Sequence, residues 1–149
     1  MSRDNLLVGR VSVAHYAYHV TICVDGRQPL FCNFTHARLV VSEMRQLHDE
    51  GILNSLAWVI MPDHLHWLFQ LGEPMTLSNA MKRLKARSAQ RINQHLGRQG
   101  AVWQRGYHDH ALRKEEDMQV IARYIVANPL RAGLVKHIED YPLWDAIWV

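Results

Sequence analysis

The alternation of apolar and polar positions along the chain predicts four strands and three helices. Residues 16–24 are rich in β-forming side chains and end at an Asp25-Gly26 turn signal. Apolar residues at helical spacing mark residues 36–50 and 77–96. The predicted strands are residues 16–24, 53–60, 64–71 and 106–112, and the predicted helices are residues 36–50, 77–96 and 114–128.

Local signals mark where these elements start and stop. Thr35 can cap the first helix, and Gly51 ends it. Pro62 cannot donate to a sheet ladder, so it separates the second and third strands and favours a hairpin. The third helix must end around Asn128, because the residue before Pro129 is pushed out of the helical region.

The order of elements is β-α-β-β-α-β followed by one more helix. The first six match the ferredoxin-like pattern, an α+β fold in which helices cover one face of an antiparallel sheet. The additional C-terminal helix carries Tyr124. No repeat or linker divides the sequence, so we expect a single domain over residues 1–149. Many unrelated functions use this fold, which therefore decides little about activity.

Composition is that of a globular protein, with 149 residues, 48% hydrophobic and 21% charged. The longest apolar runs are far too short to cross a bilayer, so no membrane role is expected. Residues 1–10 are polar and lack the apolar core of a secretory signal. The chain has two cysteines, Cys23 and Cys32, and so few cysteines suit a reducing compartment. We therefore expect a cytoplasmic protein.

The net charge of +3 conceals a strongly basic segment. Residues 79–113 contain eight basic residues and one acidic residue, a net +7, whereas the rest of the chain carries −4. Nucleic acid is the partner that such a segment favours, and a solvated helix face is the alternative. Along the second helix and just past its end, Arg83, Arg87, Arg91, Gln94 and Arg98 follow helical spacing and form one mainly basic stripe.

Two histidines in the third strand are candidate metal ligands. Because side chains alternate along a strand, His64 and His66 point to the same face. Two neighbouring imidazoles can hold a metal ion with a third ligand, and two surface histidines are the alternative. His108 and His110 form a rival pair that could instead contact phosphate. His15 and His19, four apart in a strand, should not face each other.

Tyr124 and Asn128 form a second candidate pair. They lie four residues apart on the third helix and so on one face. Tyrosine can act as a nucleophile, and the carbonyl oxygen of asparagine can ligate a cation. The alternative is structural, with Tyr124 packed in the core beside Ile121 and Ile125 and Asn128 capping the helix.

These motifs together resemble a known family. Residues 57–67, which contain His64-Leu65-His66, resemble the His-hydrophobic-His motif of single-tyrosine transposases. Residues 123–135 resemble the tyrosine helix of those enzymes, and residues 103–113 and 141–148 also fit. The branch that the chain resembles most is the REP-associated tyrosine transposases, which are associated with repetitive extragenic palindromes (REP). The resemblance covers about residues 11–148.

The resemblance implies a metal-dependent reaction on single-stranded DNA. Tyr124 would attack a phosphodiester and form a 5′-phosphotyrosine link, while His64, His66 and Asn128 would hold Mg²⁺ or Mn²⁺. The substrate would be a REP-like hairpin, and the enzyme a monomer or a homodimer. The resemblance to the family and the basic charge of residues 79–113 together predict DNA contacts at Lys82, Arg83, Arg87, Arg91, Arg98, Arg105, His110 and Arg113.

Two other functions are compatible with parts of this sequence. A non-catalytic, domesticated protein that binds DNA hairpins would need the basic segment but not Tyr124. A structural zinc protein would need four ligands, and Cys23 and Cys32 lie far from any paired spacing. The intact set of His64, His66, Tyr124 and Asn128 favours the enzyme.

Overall fold

The computed structural model describes residues 12–148. Five strands form its sheet: β1 (Ala17–Cys23), β2 (Leu53–Met61), β3 (His64–Leu71), β4 (His108–Leu112) and β5 (Trp144–Ala146). Four α-helices accompany them: α1 (Phe34–Asp49), α2 (Leu77–Leu96), α3 (Glu115–Val126) and the single turn α4 (Asn128–Arg131). Short 3-10 turns lie at Asp25–Arg27, Leu30–Cys32 and Ile138–Asp140.

The strands form one sheet in the order β4-β1-β3-β2-β5, with every neighbouring pair antiparallel. The α+β fold predicted from the sequence, an antiparallel ferredoxin-like sheet with an additional C-terminal helix, is therefore confirmed. Strand β5 was not predicted. It has three residues, and it is held by pairing with the edge of β2 rather than by a pattern of its own.

The sheet packs against helices on both faces. One face meets α1 and α2 in the larger core, which includes Leu65 of β3 and Leu84 of α2. The opposite face meets α3 in a smaller core, which includes Leu68 of β3 and Ile125 of α3. Because side chains alternate along β3, the positions that share a face with Leu68 lie beneath α3.

Two predicted helix boundaries were wrong. Helix α1 begins at Phe34, and its cap is Asn33 rather than Thr35, because the Asn33 side chain accepts the N–H of Thr35 at 2.9 Å. Helix α3 ends at Val126 rather than at Asn128. Asn128 instead opens α4, whose first turn tolerates the missing N–H of proline.

Among residues 12–148, no helix is long and apolar enough to span a membrane. The expectation that residues 1–10 contain no secretory signal concerns positions outside the described residues.

Candidate active site

The two predicted metal ligands lie together on the sheet face beneath α3. His64 and His66 are half-buried, and their ring centres are 4.9 Å apart at an interplanar angle of 84°. Leu65, between them, is fully buried on the other face. The antiparallel register places His66 opposite Thr21 of β1 and Val59 of β2. The alternation of side chains along β3 therefore places both imidazoles on the same face of the sheet.

A carboxylate orients His64. Nδ1 of His64 donates to Oδ1 of Asp63 at 2.7 Å, and Oδ2 of Asp63 accepts from Nε of Arg27 at 2.9 Å. Burial opposes ionisation of Asp63, but the hydrogen bonds from Arg27 and His64 hold the pKa of this carboxyl below its usual value. With its proton on Nδ1, His64 keeps the lone pair of Nε2 for another ligand.

A third histidine, His19 of β1, completes this cluster. Nδ1 of His66 lies 3.0 Å from Nε2 of His19 and 3.1 Å from Oγ1 of Thr21. Burial, with the neighbouring charge of His110, lowers the pKa of His19 to about 4. Burial also lowers the pKa of His66 to about 3, helped by the charges of His19, His64 and Arg131. Both rings are therefore neutral at pH 7, the state in which imidazole binds metals.

Tyr124 lies over the histidines and not in the core. Its side chain is 49% exposed, so the structural alternative of a packed tyrosine is wrong, although its neighbour Ile125 is fully buried. The centre of its ring is 6.3 Å from that of His66 and 6.5 Å from that of His19, edge-on in both cases. Helix α3 thus brings a solvent-accessible phenol to the histidine face.

Arg131 of α4 holds Tyr124 from the other side. The guanidinium carbon lies 3.9 Å from the centre of the Tyr124 ring, and Nη2 donates to the Tyr124 carbonyl at 2.7 Å. Both contacts depend on the chain turning back after Val126, which places α4 against the last turn of α3. Sequence reasoning did not single out Arg131, because the break between the two helices was not predicted.

Asn128 fits the role of an oxygen ligand. One amide atom of its side chain, Nδ2, is buried and has no hydrogen-bond partner among the described residues. Rotating the amide by half a turn exchanges its nitrogen and oxygen, so Asn128 can offer Oδ1 at this buried position. Across residues 12–148, no three His, Cys, Asp or Glu side chains form a group that could hold a metal ion. The Asn128 amide is thus a candidate for a third ligand beside His64 and His66.

The basic stripe of α2 lies on the opposite side of the sheet, against α1. Arg83 makes a bidentate pair with Glu50, and Nη1 of Arg91 donates to Oε2 of Glu43 at 2.9 Å. These two predicted DNA contacts thus also join the two helices. The structure does not place them beside Tyr124, since α2 packs on the face that the histidines point away from.

The other predicted DNA-binding residues are exposed, at several separate places. Lys82 and Arg87 lie on α2, Arg98 and Arg105 lie in the loop that follows, and His110 and Arg113 lie in and after β4. His110 pairs in register with His19, so it alone of this set adjoins the histidine cluster. Trp103, in the segment between α2 and β4, is buried, and its Nε1 donates to Oγ of Ser88.

Comparison with known proteins decides the family. The sequence model described as "Transposase IS200 like" matches residues 12–128, more than half of the chain. The chain belongs to this family. The match ends at Asn128, so it includes both histidines of the β3 pair and Tyr124.

The resemblance to REP-associated tyrosine transposases is also confirmed. A REP-associated tyrosine transposase of Escherichia coli K12 is 30% identical over 87 residues, which cover 58% of this chain and 50% of that protein. A Haemophilus influenzae protein provisionally given the same name is 27% identical over 111 residues, 68% of this chain and 63% of that one. The chain thus spans about half to two thirds of these relatives' lengths.

A solved structure shares the fold. It is described as a REP-associated tyrosine transposase bound to a REP hairpin, and it superposes with a TM-score of 0.75 at 23% identity. The match covers 91% of this chain and 79% of the other. At this level of identity the likeness establishes the fold.

Proposed function

We propose that this protein is a metal-dependent endonuclease and strand transferase that acts on single-stranded DNA at REP-type palindromic hairpins. The observation that carries the proposal is the exposed phenol of Tyr124, whose ring centre lies 6.3 Å from that of His66. A nucleophile next to two imidazoles that could hold a metal ion, on one open face, suits metal-assisted cleavage of a phosphodiester through a covalent intermediate. Family membership and the named relatives support the same activity.

The reaction is a transesterification. The phenol oxygen of Tyr124 attacks the phosphorus of the scissile phosphodiester, and its proton is lost. The new O–P bond forms as the bond from phosphorus to the 3′ oxygen breaks, and the 3′ oxygen takes up a proton. The DNA on the 3′ side of the break keeps the phosphate on its 5′ end and is left esterified to Tyr124, while the other fragment ends in a 3′-hydroxyl. Attack by a 3′-hydroxyl on this phosphotyrosine reverses the exchange and joins the strands.

His64, His66 and Asn128 would hold the divalent cation. Asp63 orients His64, and the neutral state of His66 leaves a ring nitrogen available to the metal. When bound, Mg²⁺ or Mn²⁺ would supply positive charge that polarises the scissile phosphate. Arg131 meanwhile stacks on the Tyr124 ring and would keep the phenol oriented above the cluster.

Hairpin DNA is the proposed partner, since the solved relative is described as bound to a REP hairpin. Phosphate contacts would come from the exposed cations near the β4 edge, where His110 adjoins the histidine cluster and Arg105 lies three residues before His108. His108 pairs with Thr21, the neighbour of His66. The cations of α2 would contact the duplex stem of the hairpin, if the stem extends past the β4 edge to the face of the sheet that α1 and α2 cover.

A denaturing gel tests the proposal. The protein is incubated with Mn²⁺ and a labelled single-stranded REP hairpin carrying a flanking tetranucleotide. We expect a covalent protein–DNA band that is lost in Tyr124→Phe and in EDTA, while native gels show that hairpin binding persists. Tyr16→Phe, which removes a hydroxyl away from the site, is the matched control and should keep the band.

Two other results would reject parts of the proposal. Hairpin binding without any covalent band in the wild-type protein would identify a domesticated DNA-binding protein instead of an enzyme. A band that persists in Tyr124→Phe would reject Tyr124 as the nucleophile.

A further inference from the structure

His19 contacts both proposed parts of the catalytic centre. Its Nε2 lies 3.0 Å from Nδ1 of His66, and its ring centre lies 6.5 Å from that of Tyr124. His19 is half-buried on β1, in the strand next to the one that carries His66. No role in the proposed reaction requires a third imidazole as nucleophile or metal ligand, so its position beside His66 calls for another explanation.

The two proposed histidine ligands differ in what fixes their protons. Nδ1 of His64 faces the Asp63 carboxylate, which can only accept a hydrogen bond, so Nδ1 carries the proton. Nδ1 of His66 faces Thr21 and His19, two neutral groups. A hydroxyl can donate or accept, so Thr21 by itself does not decide which nitrogen of His66 is protonated.

The hydrogen bonds of His66 indicate the tautomer that the site needs. Within residues 12–148, both of its recorded hydrogen bonds go to Nδ1. A proton on Nε2 would therefore have no protein acceptor, whereas a proton on Nδ1 has the Nε2 lone pair of His19 at 3.0 Å. The Nδ1–H form leaves Nε2 of His66 free to bind a metal ion, as in His64.

We propose that His19 is a positioning residue for His66: its Nε2 accepts the Nδ1–H of His66 and thereby keeps Nε2 of His66 available to a divalent cation. This inference rests on the proposed metal-binding role of His66. His19 orients the ligand and does not touch the cation. His19 orients His66 as the Asp63 carboxylate orients His64, so a different partner fixes each of the two imidazoles.

Mn²⁺ binding to the full chain without DNA is the first test. Free Mn²⁺ is followed by electron paramagnetic resonance for the wild type and for His19→Phe, His19→Gln and His15→Phe. We expect His19→Phe to raise the Kd for Mn²⁺ at least about tenfold, the usual effect of removing a group that orients a ligand. His19→Gln, which can still accept a hydrogen bond, should stay within about threefold of wild type.

His15→Phe is the matched control, because the His15 side chain is exposed and contacts Glu73 rather than the site. It should bind Mn²⁺ like the wild type. Thermal melting followed by circular dichroism shows that each variant is folded at the temperature of measurement. A folded His19→Phe protein that binds Mn²⁺ as tightly as the wild type would overturn the inference.

The tautomer of His66 is the second test, and it needs neither metal nor activity. Long-range ¹H–¹⁵N spectra of the metal-free protein should show His66 protonated on Nδ1 in the wild type and in His19→Gln, with mixed protonation in His19→Phe. Protonation of wild-type His66 on Nε2 would overturn the inference. If the wild type binds no Mn²⁺, the proposed metal site fails, and these spectra alone decide the role of His19.

Discussion

Arg131 stacks on Tyr124, with its guanidinium carbon 3.9 Å from the ring centre, and donates a hydrogen bond to the carbonyl of the same residue. The contact couples α4 to the exposed phenol of α3 through both ring and backbone. Since Tyr124 is half exposed, little else restrains its ring apart from the edge contacts with His19 and His66. Arg131 therefore fixes the orientation of the proposed nucleophile.

Replacing Arg131 should slow covalent attachment more than it weakens DNA binding. A cation–π contact between exposed side chains contributes about 0.5–1 kcal/mol, which corresponds to about two- to fivefold in rate when the contact orients a reacting group. We expect Arg131→Ala to form the phosphotyrosine band about two- to fivefold more slowly at saturating hairpin, with Arg131→Lys in between. Arg123→Ala, which removes an exposed cation of α3, is the control. Equal rates for Arg131→Ala and the wild type would show that the stacking has no such role.

Removing the carboxylate that orients His64 should weaken metal binding. Asp63→Asn leaves an amide that no longer fixes the proton on Nδ1 of His64, so we expect the Kd for Mn²⁺ to rise about tenfold or more. The matched control is Arg27→Gln, which removes the other partner of Asp63 from an exposed pair and should change the Kd by less than about threefold. Calorimetry gives both values, and similar effects of the two changes would contradict the orienting role.

Arg91 should matter for stability, because it neutralises a buried carboxylate. The Glu43 side chain is 8% exposed, while that of Arg91 is 39% exposed and partly screened by water. We expect Arg91→Gln to lower the free energy of unfolding by about 1–2 kcal/mol in urea titrations. Adding Glu43→Gln should restore at least about half of the loss. Arg87→Gln, which removes an exposed cation of the same helix, should cost no more than about 0.5 kcal/mol.

DNA binding should depend more on Arg105 than on Arg83. Arg83 pairs with Glu50 of α1 on the side of the sheet away from Tyr124, whereas Arg105 lies close to the end of β4 that adjoins the histidine cluster. Losing one phosphate contact reduces the slope of log K against log salt by about 1. Anisotropy titrations of a labelled hairpin should show this reduction for Arg105→Gln and less than about half of it for Arg83→Gln. The reverse order would place the hairpin on the α1–α2 side.

Much of this architecture follows from local patterns. The alternation in β3 predicted that His64 and His66 share a face, and helix periodicity predicted the buried stripe of α2, which includes Leu77 and Leu84. His19 was missed for a physical reason. Its neighbour His66 is 47 residues away, and the contact depends on the register between β1 and β3, which local spacing does not encode. The polar positions of β1, His19 and Thr21, were the available signal.

The position of the basic stripe shows the same limit. Periodicity placed Arg83 and Arg91 on one side of α2, but it could not show that Glu50 and Glu43 of α1 face them. Arg131 was missed because a helix running to Asn128 hides the break at Ala127. Pairings between distant elements determine these features, whereas a local sequence pattern reflects only neighbours along the chain.

The two cores on opposite faces of the sheet have a consequence for how sequences of this kind can change. The core beneath α1 and α2 is the larger one, and it contains none of His64, His66 and Tyr124. Substitutions there can shift the folding equilibrium while the proposed active site on the other face stays intact. Helix α3 packs on the other face with a smaller core. Substitutions that change stability and substitutions that abolish the proposed catalysis should therefore accumulate at separate sets of positions in this fold.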